Sequence, residues 1–422
     1  RNAFKIKDIR KKIIFTFLML IVIRIGSCLP IPGVDSDVFA NWFASQTADG
    51  MGFFDAITGG SFYRMSIFAL NITPYITSSI IMQLLTIAIP KLEEMQRDGE
   101  DGRKKMVAIT RYVTVALALI QSTAMAIGFG RQGYLIEFNA LNVITTITAL
   151  TAGSAFLMWV GERITEKGIG NGISIVLVIN IISRLPQDLS NLFEQFVFGK
   201  APATAILAVV IIFAIIIAMV VLVIILNDGV RKIPVQYAKK MQGRKMVGGQ
   251  TSNIPLKVNT SGVISIIFAI SLLQFPQQIG MFIPNKGATF TKVTDVLNMT
   301  HPIGAIIYII LIFFFTYFYT SIVINPNEIA MNMKKNGGFI PGIRPGKPTS
   351  DYLNKILNYI VFIGAIGLII VSVIPYFFNG VFGASVSFGG TSLIIIVSVV
   401  LETMKQVESQ MLVRNYKGFL ED

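Results

Sequence analysis

Apolar residues in this chain come in long unbroken blocks, not at the two- or three-residue spacing of a half-buried strand or helix. Ten blocks stand out, at residues 13–29, 66–89, 107–129, 141–160, 171–186, 203–226, 261–283, 302–324, 356–376 and 389–404. A helix crossing the hydrocarbon core of a bilayer needs about 17–25 such residues. The pattern therefore predicts ten membrane-spanning helices. One block has an odd lead-in. "DAITGGSFYRMSIFALNITPYITSSIIMQLL" (Asp55–Leu85) opens with an acid, a glycine pair and an arginine, and carries Pro74 mid-run. Its first half, 53–64, is too polar to face lipid, while Ile72–Ile89 reads as a good span.

The polar positions between the blocks fix an orientation. With the N-terminus inside, the segments 1–12, 90–111, 161–170, 227–260, 325–355 and 403–422 hold 29 of the 36 Lys and Arg, against six outside and Arg24 within the first block. Basic residues concentrate on the cytoplasmic side of membrane proteins, so both termini are expected in the cytoplasm. Composition agrees with the membrane reading: 53% of residues are hydrophobic, 14% are charged, and mean hydropathy is +0.67. The net charge of +13 then reflects topology more than a nucleic-acid patch. The first apolar block has no small-x-small cleavage site before Pro30 and is expected to be retained.

One cysteine and one histidine exclude an internal disulfide or a Cys/His zinc site. The blocks contain no Asp or Glu away from their ends, which an ion-driven transporter would need at its midplane. No phosphate loop, HExxH or GxSxG motif is present, so an enzyme with a bound cofactor is not expected. Arg24 reads either as a helix-paired, snorkelling arginine or as a charge facing a polar cavity. His301, next to Pro302, reads as a helix cap. Ile215 of the sixth block is expected to face lipid. Ile72 and Ile76 lie at i, i+4 around Pro74, and Ile173 and Leu177 repeat the spacing after "GNG". Such pairs suit either ordinary helix packing or an apolar constriction that gates by dewetting. Two segments exceed what connectors need: Asn227–Asn259, and Asn325–Lys355 with its "FIPGIRPGKP" turn. They read as membrane-surface anchors or as docking surfaces for an acidic or RNA-bearing partner.

"LPIPGVD" (Leu29–Asp35), "SIFALNITPYITSSIIMQLL" (Ser66–Leu85), "GERITEKGIGNGISI" (Gly161–Ile175), "QYAKKMQGRKM" (Gln236–Met246), "IPLKVNTSGVI" (Ile254–Ile264), "NPNEIAMNMKKNGGFIPGIRPGKPT" (Asn325–Thr349) and "FGGTSLIIIV" (Phe388–Val397) resemble the bacterial SecY family, in the family's order. The resemblance implies an all-α membrane protein of the bacterial cytoplasmic membrane. Its ten transmembrane helices would form two pseudo-symmetric inverted halves, 1–190 and 203–422, around a central channel, joined by a hinge at 191–202. It implies a protein-conducting channel that passes unfolded preproteins across the membrane and releases transmembrane segments sideways. The poor lead-in then matches the plug, a short half-helix: Asp55, Ala56, Ile57, Thr58, Gly59, Gly60, Ser61, Phe62, Tyr63 and Arg64. Such a segment lines a cavity and escapes lipid.

The same resemblance assigns a pore ring to Ile72, Ile76, Ile173, Leu177, Ile267 and Ile395. It assigns a lateral gate to Thr77, Gln83, Gln121 and Phe275, with polar groups hydrogen-bonded across the closed seam. Docking falls to Arg231, Lys232, Lys239, Lys240, Arg244 and Lys245 in one loop and to Arg344 and Lys347 in the other. The implied partners are the SecE and SecG subunits, the SecA ATPase, the ribosome (with ribosomal RNA met only through it), the signal peptide or preprotein, membrane lipids, and YidC and SecDF. A small-solute transporter with an inverted repeat and a non-conducting membrane scaffold are the competing readings.

Overall fold

A computed structural model of the chain describes residues 6–36, 38–41, 58–198, 202–237, 240–242, 245–247, 251–282, 288–297, 301–382 and 390–418. Each of the ten apolar blocks carries a helix. The first part of the chain contains α1 (Lys7–Ser27), α2 (Thr73–Ala88), the short α3 (Pro90–Arg97), α4 (Gly99–Arg131), α5 (Ala140–Lys167), α6 (Gly172–Phe196) and α7 (Pro202–Asp228). Four strands follow: β1 (Val230–Tyr237), β2 (Lys240–Gln242), β3 (Lys245–Val247) and β4 (Thr251–Lys257). The rest comprises α8 (Ile264–Phe282), α9 (Ala288–Val296), α10 (Pro302–Val323), α11 (Pro326–Lys335), β5 (Gly338–Phe339), α12 (Lys347–Phe382) and α13 (Gly390–Gly418).

Helix starts follow local chemistry. Pro74 and Pro302 sit in the first turn of α2 and α10, where a missing N–H costs nothing. Asn171 caps α6 by accepting from the Ile173 amide at 3.1 Å, and His301 caps α10 through Nδ1 at 3.3 Å from the Ile303 amide. Among the described residues, five helices are long and apolar enough to cross a membrane, or six with α2 and α3 counted as one span bent by 108°. The most apolar stretch of α7, within Val209–Asp228, is only 11% buried, and Ile206, Val210, Ile217 and Ile225 point away from the protein. In lipid that surface is neutral or favourable. Ile215, expected to face lipid, instead packs against the core cluster beside α8, so Ile217 is the outward-facing residue of that helix.

Three expectations need correction. The segment 66–72 is not helical: it continues a series of turns from residue 59, and α2 starts only at Thr73. Met65 and Asn71 adopt left-handed backbone (φ 45° and 51°), which a helix cannot propagate through. Second, the helix expected over 171–186 runs on through Pro186 to Phe196. Apolar blocks mark the stretch suited to lipid, whereas the helical hydrogen-bond ladder continues into the polar flanks. For the same reason α4, α12 and α13 overrun their blocks.

Third, the chain is not purely α-helical. β1 pairs antiparallel with β4, placing Ile233 opposite Ile254, and with β5, placing Gln236 opposite Phe339. The sheet order is β4-β1-β5, and β2 with β3 makes a separate hairpin. Ile233, Val235 and Leu256 alternate inward and pack with Met333 of α11, Ile340, and Leu353, Ile356 and Leu357 of α12. This is period-two burial of branched residues, carried by strands too short and too charged to register among the apolar blocks. The two basic segments, 227–260 and 325–355, are thereby joined into one body.

Candidate functional site

The residues flanking Pro74 and those following "GNG" meet in one apolar cluster. Ile72, at the N-cap of α2, is fully buried, and Ile76 one turn on donates its amide to the Ile72 carbonyl at 3.0 Å. Both pack with Ile173 and Leu177 of α6 and with Ile267 of α8. Ile267 also packs in a second cluster with Ile395 of α13. The six side chains singled out in the sequence thus form two apolar clusters that share Ile267, drawn from four helices that are far apart in the chain. They present no hydrogen-bonding groups, so a constriction built from them repels water and holds nothing by direction.

Residues 58–72 fold against this cluster, which Ile67 and Phe68 join. Of the ten residues expected in the plug, Asp55, Ala56 and Ile57 lie outside the described residues. Thr58, Gly60, Ser61 and Phe62 are buried, Gly59 and Tyr63 half-buried, and Arg64 exposed with Nη1 3.5 Å from Cys28 Sγ. The Phe62 ring packs edge-on to Phe39, with Phe129 and Tyr134 completing an aromatic cluster. "LPIPGVD" anchors the turn: the Ile31 amide donates to Met65 and the Ile67 amide to Leu29, each at 3.0 Å. Gly59, at φ +67°, lies so close to α6 that a Cβ there would meet the Asn180 carbonyl oxygen at 2.7 Å.

Polar groups complete the seat. Asn180 Nδ2 donates to Asn71 Oδ1 at 3.1 Å, and Ser154 Oγ donates to the Asn71 carbonyl at 3.1 Å. Ser183 Oγ donates to the Asn180 carbonyl at 2.6 Å and lies 3.4 Å from the Gly59 carbonyl. Arg24 Nη1 donates to Ser183 Oγ at 2.9 Å, so this charge is helix-paired. Sequence reasoning missed Asn71, Ser154, Asn180 and Ser183. Two asparagines inside apolar blocks were the available signal, since a buried amide demands a partner.

At the proposed seam, α8 packs against both α2 and α4, with Ile80 of α2 in the same cluster as Ile266, Ile270 and Leu273 of α8. The polar gate residues are not joined across it among the described residues. Thr77 Oγ1 donates to Thr73 of its own helix at 3.0 Å, and Gln83 Nε2 to Ser79 at 3.5 Å. A hydroxyl one turn from a carbonyl satisfies itself locally before it reaches a neighbour. Gln121 is half-buried and Phe275 is 49% exposed. At the sheet end, Arg231 and Lys232 are exposed on β1, and Lys240 and Lys245 lie in β2 and β3. Arg344 is exposed in the turn ahead of α12, its carbonyl accepting from Thr349 Oγ1 at 2.8 Å, and Lys347 opens α12. Lys239 and Arg244 lie outside the described residues.

The sequence model of the SecY family matches residues 66–404. The chain belongs to the SecY family. It is 44% identical to the protein translocase subunit SecY of Halalkalibacterium halodurans, over 99% of this chain and 98% of that protein. It is also 44% identical to the same subunit of Bacillus subtilis, over 100% and 99%. Family members are multi-pass membrane proteins. Among solved structures it resembles a protein-conducting channel, at TM-score 0.62 and 19% identity over 95% of this chain and 92% of that one. It also resembles a SecY channel whose plug domain stabilises the closed state, at TM-score 0.65 and 19% identity over the same shares. A third likeness, at TM-score 0.59 and 18% identity over the same shares, is to Sec61 in a canine ribosome–channel complex. At these identities the structural likenesses establish the fold.

Proposed function

We propose that the chain is the pore-forming subunit of a protein translocation channel, passive and gated, which conducts unfolded preproteins and releases transmembrane segments sideways. The observation that carries this reading is the meeting of Ile72, Ile76, Ile173, Leu177, Ile267 and Ile395, from both parts of the chain, beneath a folded-in turn. Ten spans in two inverted halves, 1–190 and 203–422, would surround that ring, with the connection near 191–202 as hinge and residues 55–64 as plug. An apolar ring offers a moving chain no fixed hydrogen bonds, so it seals around the chain without retaining it. The α2–α8 and α4–α8 contacts would part as the lateral gate, near Thr77, Gln83, Gln121 and Phe275.

The sheet end supplies the docking face. A solved relative sits on a ribosome, and a basic body suits ribosomal RNA or an acidic motor protein. SecA or the ribosome would dock on Arg231, Lys232, Lys239, Lys240, Arg244, Lys245, Arg344 and Lys347, with both termini on the same cytoplasmic side. SecE and SecG would cover apolar flanks such as that of α7, and YidC and SecDF would act at the periphery. ATP or translation would drive movement from the docked partner, and the chain itself would bind no cofactor. Small-solute transport is the less favoured reading, because the 44% identical relatives are named as protein translocase subunits.

The test is a photo-crosslinker at half-buried Ile76 and, separately, at outward-facing Ile217, with a signal-bearing preprotein stalled in membranes. Mid-chain precursor is expected to crosslink from position 76 and not from 217. Equal crosslinking, or none from 76, would remove the central path.

A further inference from the structure

Asn71 stands at the join between the turn and the ring. It is buried, its backbone is left-handed at φ 51°, and the next residue is Ile72. Asparagine, like glycine, tolerates that conformation, but here it also brings an amide. That amide accepts from Asn180 on α6, while the main-chain carbonyl accepts from Ser154 on α5. Asn180 lies one helical turn beyond the ring residue Leu177, and its own backbone is the surface on which Gly59 rests. The start and the end of the turn therefore converge on Asn180. Its Oδ1 is buried, with no hydrogen-bond partner among the described residues.

We propose that Asn71 and Asn180 form a polar latch that holds the 58–72 turn over the ring and sets how strong a translocating segment must be to open it. This rests on the channel reading above and adds a stringency-determining pair to it. The physical reason is a difference in environment. In the shut state both residues are buried, so a broken amide pair leaves polar groups unpaired away from bulk water and the bond favours the seated turn. Once the ring parts and water enters, water replaces the bond at little cost. The pair therefore stabilises the shut state and barely affects the open one, which sharpens a two-state gate.

The test uses the full chain assembled with its partner subunits in membranes. Asn71→Gly keeps the left-handed backbone and the Ser154 contact and removes the amide. Asn180→Leu removes the other amide without touching the turn, and serves alone if the first variant does not assemble. Two quantities are read: resting ion conductance, and export of a preprotein with a crippled signal relative to one with an intact signal. Each single variant is expected to raise both by about fivefold to tenfold, and the double variant to do no more than the larger single, since both singles break the same Asn71–Asn180 bond. A packing lesion would instead lower both exports together and add in the double variant.

Unchanged stringency in both singles, or additive effects, would overturn the latch. Ile72→Gly with Ile76→Gly serves as the control: a leaking control beside silent latch variants disproves the latch alone. A control that leaks nothing disproves the ring, and the latch with it.

Discussion

The ring and the turn over it share Ile72 and are held by different forces. At the ring, side chains from α2, α6, α8 and α13 touch through apolar surface alone. In the turn, Asn71 is bonded to Ser154 of α5 and Asn180 of α6, and the Gly59 carbonyl to Ser183 of α6, by hydrogen bonds between 3.1 and 3.4 Å. Apolar contact is non-directional and tolerates sliding and changes of diameter. A buried hydrogen bond has a geometry to satisfy and a penalty when it is left unmade, so it is made or broken as a unit. A channel that must grip any sequence lightly and yet shut firmly needs both kinds of contact, in separate places. The comparison predicts that damage to the ring changes leakage most, that damage to the seat changes it less, and that polar groups engaged elsewhere change nothing.

The largest effect is expected from Ile72→Gly with Ile76→Gly. Truncating a buried isoleucine costs about 2–5 kcal/mol through lost contact and the cavity left behind. Even the lower figure, roughly thirtyfold in a two-state balance, would hydrate the constriction. Planar-bilayer recordings should show a large rise in resting ion conductance, and Ile→Val at both positions should show little. Conductance that stays at the parent level would mean the six residues are core packing and no constriction.

Much of this arrangement was legible in the sequence, and the illegible part has a common cause. Ten apolar blocks located ten helices because lipid-length apolar runs are a local signal, carried entirely within each segment. Ile72 with Ile76 and Ile173 with Leu177 were visible as i, i+4 pairs for the same reason. The seat was hidden because its bonds join residues far apart: Ser154 to Asn71 spans 83 positions and Asn180 to Asn71 spans 109. No periodicity announces such a pairing. The sheet was hidden differently. Its alternation at Ile233 and Val235 is local, but Arg231 and Lys232 beside it dominate the reading as a basic loop. The helical start expected at Ser66 failed on two left-handed residues, Met65 and Asn71, which hydropathy does not register.

A middle effect is expected from Gly59→Ala. The left-handed φ of +67° disfavours a side chain, and the added Cβ would meet the Asn180 carbonyl at 2.7 Å. Strain of this kind costs on the order of 1–3 kcal/mol, all of it in the seated turn. Resting conductance should rise severalfold and stay below that of the ring double variant, because the apolar contacts beneath remain. If Gly59→Ala leaks more than the ring variant, the turn is the principal seal and the ordering of the two regions is reversed.

The smallest effect is expected from Thr77→Val, and it is the sharpest check on the claim that directional contacts act only where they cross between elements. Thr77 stands on α2 one position past Ile76, where a hydroxyl reaching over to α8 would serve as a latch of its own. Its Oγ1 instead donates to Thr73 within α2 at 3.0 Å. Valine keeps the branched shape, and the Thr73 carbonyl stays in the helical ladder without the extra bond. The expected change is within about 0.5 kcal/mol, too small to move conductance or the export of a crippled-signal preprotein beyond about twofold. A rise comparable to that of Asn71→Gly would place a working polar contact at the seam. The shut state would then be held by hydrogen bonds on two sides of the ring, not only in the turn that covers it.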